Sequence, residues 1–309
     1  MSLTKYLITG GAGNIGSALT LELSKDTNNQ IVIVDNFLTG SMAKIPQREN
    51  VTFIKANVNN YNDIVPIFGR FNFDHVFHFA AVVGVKRTLE NPMMVLDDIE
   101  GIKNILSLSK NSGVKKVFYS SSSEVYGEPF EIPQNEQTTP LNSRLPYAIV
   151  KNVGEAFFKS YYQEYGLEYT IFRFFNTYGP NQSEDFVIPK FLKAALKNEP
   201  IYIYGDGKQT RSFCFVDDNI ETCIKALKDS KYNNEVINIG SDKEITVLEL
   251  AETIIKVSNS KSEIIHVPAL KEGDMARRCP DTTKMKKILG RDVLSLEVGL
   301  RELMRSYKN

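Results

Sequence analysis

Cysteine is scarce in this chain: Cys214, Cys223 and Cys279 form neither a Cys-x-x-Cys pair nor an even set. That excludes a disulfide framework and fits a reducing compartment, with the thiols free in the core. Net charge is lacking too, because 37 Lys and Arg balance 37 Asp and Glu. No overall field therefore draws the chain to nucleic acid or to an anionic membrane. No apolar run approaches the ~18 residues of a membrane span. The start, Met1-Ser2-Leu3-Thr4-Lys5, enters a short strand pattern and not a signal peptide's longer apolar region. These absences place the chain in the cytoplasm. Gly and Pro make up only about a tenth of the residues and no repeat or low-complexity tract occurs, which excludes collagen-like and disordered classes. Histidine is rare, and metal chemistry is disfavoured: His75 and His78 sit on opposite faces of a strand pattern, and His266 lies far along the chain.

What is present suits about two domains or one large one, 309 residues against ~150 per typical domain. Apolar strand runs at Tyr6 to Thr9, Ile31 to Val34, Val51 to Ala56, His75 to Phe79, Lys116 to Ser120 and Tyr169 to Phe174 are separated by helical spacings. The helical stretches are Ile15 to Ser24, Asp63 to Phe68, Met94 to Lys110 and Tyr147 to Tyr165. Repeated strand–helix–strand units predict an α/β fold, a doubly wound parallel sheet with ligands beyond the carboxyl ends of its strands. After about residue 180 prolines and the turn Gly205-Asp206-Gly207 shorten the pieces. Helices are expected there near Val187 to Lys197, Asn219 to Lys228, Thr246 to Val257 and Thr282 to Leu289. We therefore expect a nucleotide-binding unit over 1–180 and a smaller mixed α/β substrate-binding cap over 181–309, with the chain free to cross back to the sheet. Tyr161, Tyr162, Tyr165 and Tyr169 read as packing and not as a nucleic-acid stacking platform.

Directly after the first strand, Gly10, Gly13 and Gly16 open a helix. One glycine serves a tight turn, the next lets backbone N–H groups approach a pyrophosphate, and the third lets helix and strand pack closely. About twenty residues on, the second strand ends in Asp35, where a carboxylate can accept from ribose hydroxyls. A phosphate-binding P-loop is excluded, since no Gly-Lys-Ser/Thr follows. Asp35 repels a 2′-phosphate and Asn36 and Phe37 offer no arginine for one, so NAD is expected over NADP.

The strand from Lys116 ends in Ser120-Ser121-Ser122-Ser123-Glu124, where Ser122 and Glu124 share a face if extended geometry persists. Pro146 suits a first helical position, which puts Tyr147 and Lys151 one turn apart on one helix face. A phenol, an ammonium and a hydroxyl then meet one ligand.

These motifs resemble the extended short-chain dehydrogenases/reductases of the NAD-dependent sugar-nucleotide epimerase/dehydratase group. The resemblance also rests on His78-Phe79-Ala80-Ala81, Phe175-Asn176-Thr177-Tyr178-Gly179-Pro180, Phe215-Val216-Asp217-Asp218, Asn238-Ile239-Gly240 and Arg277-Arg278-Cys279-Pro280-Asp281. It implies a Rossmann-type sheet and NAD, held by Gly10, Gly13, Asn14, Ile15, Gly16, Asp35, Asn36, Asn57, Val58 and Ala80, with Tyr147 and Lys151 at the nicotinamide end. It implies Tyr147 as base for a sugar hydroxyl, usually on carbon 4, with Lys151 and the nicotinamide charge lowering its pKa from ~10 and Ser122 sharing the same hydroxyl. The nucleoside-diphosphate sugar would meet Ser123, Glu124, Asn176, Arg211 and one of Arg277 or Arg278; surface ion pairing is the other reading of each arginine. A homodimer through the helices at Met94 to Lys110 and Tyr147 to Tyr165 is implied as well.

Two positions depart from the pattern: Asn57 stands where relatives usually carry Asp, and Asp98 where many carry Asn. Ser123 occupies the place of the acid that 4,6-dehydratases use, so dehydration is disfavoured. The resemblance is nearest to UDP-glucuronate decarboxylases and 4-epimerases, and Arg144 ahead of Tyr147 also resembles the decarboxylases. The apolar loop Ala81 to Val85 offers no carboxylate-binding group, although Lys86 and Arg87 follow. The expectation is oxidation at carbon 4 without dehydration, ending as a keto sugar, a 4-epimer or a decarboxylated pentose, with Glu124 as second base or substrate ligand. A non-catalytic NAD sensor is the remote alternative.

Overall fold

Consecutive residues of the strands bury on opposite faces: Leu7, Val32 and Val34 on one side, Ile8, Ile31 and Ile33 on the other. Both faces are therefore covered, as a parallel sheet requires. The structure, a computed structural model, describes residues 3–268 and 277–307. The first strands are β1 (Thr4–Thr9), β2 (Asn29–Asp35), β3 (Val51–Lys55), β4 (His75–His78), β5 (Lys116–Ser122) and β6 (Glu168–Phe174). Between them run α1 (Asn14–Leu23), α2 (Tyr61–Arg70), α3 (Val85–Glu90), α4 (Pro92–Leu96), α5 (Asp98–Asn111) and α6 (Pro146–Tyr165). Next come β7 (Thr177–Tyr178), α7 (Val187–Lys197), β8 (Ile201–Tyr204), β9 (Thr210–Ser212), β10 (Cys214–Phe215) and α8 (Val216–Lys228). The chain ends with β11 (Glu235–Ile239), β12 (Glu244–Thr246), α9 (Val247–Ser258), β13 (Ile264–Val267), α10 (Thr283–Leu289) and α11 (Leu296–Ser306).

The main sheet has seven parallel strands in the order β11-β6-β5-β4-β1-β2-β3, a doubly wound Rossmann-type architecture. The order reverses beside β1, and a crevice opens there at the carboxyl ends. On one face Ile102, Ile105, Leu106 and Phe158 of α5 and α6 meet Leu7, Val117 and Ile171. On the other, Phe77, Phe118 and Phe172 stack across neighbouring strands with centroids 4.2 and 6.0 Å apart, under Leu19, Ile220 and Met285 of α1, α8 and α10. A separate core of Phe191, Leu192, Ile203, Leu250, Ile254 and Leu300 unites α7, β8, α9 and α11 above the crevice.

Some local expectations change. The helix expected over Met94 to Lys110 is two helices, α4 and α5, meeting at Asp97, whose backbone stays helical (φ −60°, ψ −22°), so the interruption is a small offset. α8 begins at Val216, three residues ahead of the expected start, and α3, α11 and β11 are found in addition to the expected elements, α11 with a clear apolar face at Leu300 and Leu303. β11 lies at the edge of the main sheet, and Cys223, Ile220 and Met285 join its core, so the late chain contributes to both layers. Cys214, Cys223 and Cys279 are buried and free. Among the described residues no helix is long and apolar enough to cross a membrane.

Candidate active site

A cleft of about 840 Å³ runs over the carboxyl ends of β1, β2, β4 and β5, within the size usual for ligand sites. Its floor begins where β1 turns into α1. Gly10 has φ +69°, and a Cβ there would stand 2.7 Å from the Ala80 nitrogen; one at Gly16 would stand 2.3 Å from the Gly10 carbonyl oxygen. Any side chain would thus fill the turn or push α1 off the strand. No side chain caps α1, and its first turn carries no acidic residue, so the N-terminal donors and helix dipole are left for an anion. The buried Oδ1 of Asn14 also lacks a partner. Asp35 closes the adjoining wall: its Oδ2 accepts from the Ala12 N–H at 3.0 Å and its Oδ1 from the Phe37 N–H at 2.8 Å. Ile15, Asn36, Val58 and Ala80 line the same cleft. So does Asn57, but its amide oxygen already accepts from the Asn59 N–H at 3.1 Å. An open cradle at a helix N-terminus with a carboxylate one strand away fits a dinucleotide.

At the far end, β5 stops at Ser122. Extended geometry does not persist beyond it: Ser123 to Tyr126 form a single 3₁₀ turn capped by the Ser122 hydroxyl, which accepts from the Glu124 N–H at 3.2 Å. Ser122, Ser123 and Glu124 line the cleft by that turn and not by strand alternation. Pro146 occupies the first turn of α6, and both Tyr147 and Lys151 face the cleft. The Lys151 ammonium donates to the Ser120 carbonyl at 2.6 Å and stands 5.8 Å from the Tyr147 ring centre. Burial pulls Lys151 down to about 8, opposed by the charge of Asp98. Burial pushes the Tyr147 hydroxyl well above its ordinary value; Glu124 and Asp98 add to this, while a hydrogen bond with Ser122 and the charge of Arg278 oppose it. The Ser122 hydrogen bond, and after it the Arg278 charge, thus favour the phenolate, and the Lys151 ammonium stands close enough to act in the same sense.

The three arginines separate. Arg278 is buried at the cleft, with Nη1 donating to Glu124 Oε1 at 2.7 Å and to Ser123 Oγ at 3.3 Å. Arg277 turns outward and clasps Glu244 at 3.0 and 2.7 Å, and Arg211 on β9 donates to the Thr210 carbonyl at 2.7 Å; neither lines the cleft. Asn176 does, its amide donating to the Ser212 carbonyl at 3.0 Å. Sequence reasoning missed Lys44, which lines the wall within the field of Asp35. Arg87, expected only as a cation following the apolar loop, folds back on that loop at the cleft, its Nη1 donating to the Val83 carbonyl at 2.7 Å. Asp98, noted only as a departure, lies beside Tyr147 and Lys151.

The sequence pattern of the NAD dependent epimerase/dehydratase family matches residues 6–240. A UDP-N-acetyl-alpha-D-glucosaminuronate decarboxylase of Bacillus cytotoxicus is 38% identical, over 98% of each chain. Among solved structures, the UDP-glucose 4-epimerase of Thermotoga maritima with UDP-glucose superposes with a TM-score of 0.92 at 31% identity, covering 99% of this chain and 100% of that one. The Thermus thermophilus UDP-glucose 4-epimerase in complex with NAD gives 0.91 at 27%, over 99% of both chains. Agreement along the whole length, with the dinucleotide cradle and the Tyr147–Lys151 helix opening on one cleft, has one reading: the chain belongs to the NAD-dependent epimerase/dehydratase family, enzymes of the extended short-chain dehydrogenase/reductase type whose cofactor is NAD.

Proposed function

We propose that this enzyme oxidises carbon 4 of a UDP-linked hexuronate and that the carbon 6 carboxylate then leaves as carbon dioxide. The observation that carries the reading is the buried Arg278 guanidinium beside Glu124 and Ser123, within the field of Tyr147. A neutral sugar needs no such cation, whereas a carboxylate on carbon 5 matches the guanidinium fork. The decarboxylase of Bacillus cytotoxicus supports this choice of substrate.

Gly10, Gly13, Gly16 and the α1 N-terminus would hold the pyrophosphate of NAD, Asp35 its adenosine ribose, and Lys151 its nicotinamide ribose. NAD held there would supply the acceptor for the carbon 4 hydride and its later return. The rest is done by the chain. Tyr147 accepts the carbon 4 hydroxyl proton, with Ser122 sharing the hydrogen bond. In the 4-keto sugar the bond from carbon 5 to carbon 6 then breaks, and its electron pair becomes the enolate of carbons 5 and 4. Arg278 and Ser123 hold the departing carboxylate so that this bond stands across the carbonyl plane. Carbon 5 takes a proton from solvent water, relayed by the Glu124 carboxylate, and Tyr147 returns its proton to the carbon 4 oxygen as the hydride returns to carbon 4. Before substrate arrives, Glu124 compensates a buried cation that would be costly to leave unpaired.

A 4-epimerase is the second reading, favoured by the pair being closed on itself and by the likeness to UDP-glucose 4-epimerases. Incubating the protein with UDP-glucuronate, UDP-N-acetylglucosaminuronate, UDP-glucose and UDP-N-acetylglucosamine, then weighing the products, separates the two. A uronate product lighter by one carbon dioxide supports decarboxylation; products of unchanged mass and inverted carbon 4 support the epimerase.

A further inference from the structure

Asp98 is a half-buried titratable group that the proposed decarboxylation does not use. It opens α5, and two donors fix its carboxylate: the Val82 N–H reaches Oδ2 at 2.7 Å and the Asn59 amide reaches Oδ1 at 3.2 Å. Its side chain lines both the main cleft and a small pocket behind it, walled by His78, Tyr119, Tyr147 and Lys151. The Lys151 ammonium rests on neutral oxygens of Ser120, the carbonyl at 2.6 Å and the hydroxyl at 3.4 Å. Among the described residues, Asp98 shares its pocket and is the charged neighbour that acts on it.

We propose that Asp98 is a positioning residue for the reaction: a fixed negative charge beside Tyr147 and Lys151 that opposes the phenolate and so sets the pH at which Tyr147 yields its proton. From α6, Tyr147 and Lys151 face the carboxylate; from β5 comes Tyr119, whose buried hydroxyl has no partner; from β4 comes His78, held neutral by burial. Asp97 is the adjacent acid, and Glu124 and Arg278 act on Tyr147 from the far side with opposite signs. Val82 N–H and Asn59 hold the Asp98 carboxylate while burial disfavours its charge, so the anion is kept by fixed dipoles and by the Lys151 charge.

A negative charge raises the pKa of both a phenol and an ammonium nearby, so removing it lowers both. Asp98→Asn is nearly isosteric, and Asn59 Oδ1, buried without a partner, can accept from the new amide once the Asn59 amide turns. The readout is ultraviolet difference titration of the NAD complex without sugar, with Tyr147→Phe identifying the Tyr147 phenolate step. This titration stands whether or not any sugar loses carbon dioxide. In Asp98→Asn the step is expected about one pH unit lower, roughly a tenfold gain in phenolate fraction below the step. Asp98→Ser, which keeps a small acceptor for the Val82 N–H, removes the same charge with different packing and is expected to shift the step in the same direction. An unmoved or higher step in either variant, or a native complex with no step lost in Tyr147→Phe, overturns the proposal.

Discussion

Glu124 and Arg278 meet at 2.7 Å across 154 residues of chain, joining the turn after β5 to the segment ahead of α10. Because the guanidinium is buried it needs a charged partner, and that partner is the same carboxylate that the proposed chemistry uses. Arg278→Met should therefore cut carbon dioxide release about 100-fold, ~2.7 kcal/mol of lost stabilisation, and slow oxidation at carbon 4 far less, through the loss of its smaller effect on Tyr147. Reduced cofactor would accumulate in single-turnover absorbance while gas release lags. Equal loss of both would place Arg278 in binding alone.

Tyr147→Phe removes only a hydroxyl from a partly buried ring, so folding and NAD affinity should be preserved while turnover falls about 10²- to 10⁴-fold. Lys151→Met should weaken NAD binding as well, since its ammonium sits at the Ser120 carbonyl on the cleft floor. Cofactor titration beside steady-state rates checks both.

Asp35→Ala deletes the carboxylate that meets the Ala12 and Phe37 N–H groups and leaves the Lys44 ammonium in the same wall. NAD should bind more weakly and the preference over NADP should narrow, because a fixed anion is lost and a cation able to meet a 2′-phosphate remains. Titration of native and variant proteins with both cofactors measures the change in ratio.

Stability should fall with acid before the carboxylates titrate. Burial holds His75 down to about 4 and His78 down to about 3, against an ordinary value of 6.5. The unfolded chain therefore binds more protons below about pH 6.5, and stability present above that pH is lost as pH falls toward 4. The slope is up to ~1.4 kcal/mol per pH unit for each histidine. Urea denaturation at pH 7, 6 and 5 reads it. His75→Phe, which keeps a ring against Tyr6 and Phe118, should remove about half the slope.

The sheet was legible because fully buried parallel strands are short apolar runs, and the cradle because its glycines are required sterically in one order. The turn at Ser123 was not legible: four serines carry no apolar rhythm, and the Ser122 hydroxyl that ends β5 also caps the 3₁₀ turn after it. Nor was the choice among arginines, since Arg277 and Arg278 are adjacent and neighbouring residues of an irregular segment point apart, one to Glu244 and one to Glu124. Asp98 was visible as a residue but not as a charge on Tyr147, because α5 and α6 become neighbours only through the folded sheet. β11 follows the cap segments in the chain, and only its pairing with β6 returns it to the main sheet.

Decarboxylation is tested most directly by carbon dioxide release from UDP-N-acetylglucosaminuronate and UDP-glucuronate labelled at carbon 6, followed with native protein and NAD. Label should enter the gas phase in equal amount to a pentose-nucleotide product, with little of either from Arg278→Met. Label retained in the sugar while carbon 4 inverts or stays oxidised would show that no carboxylate is lost.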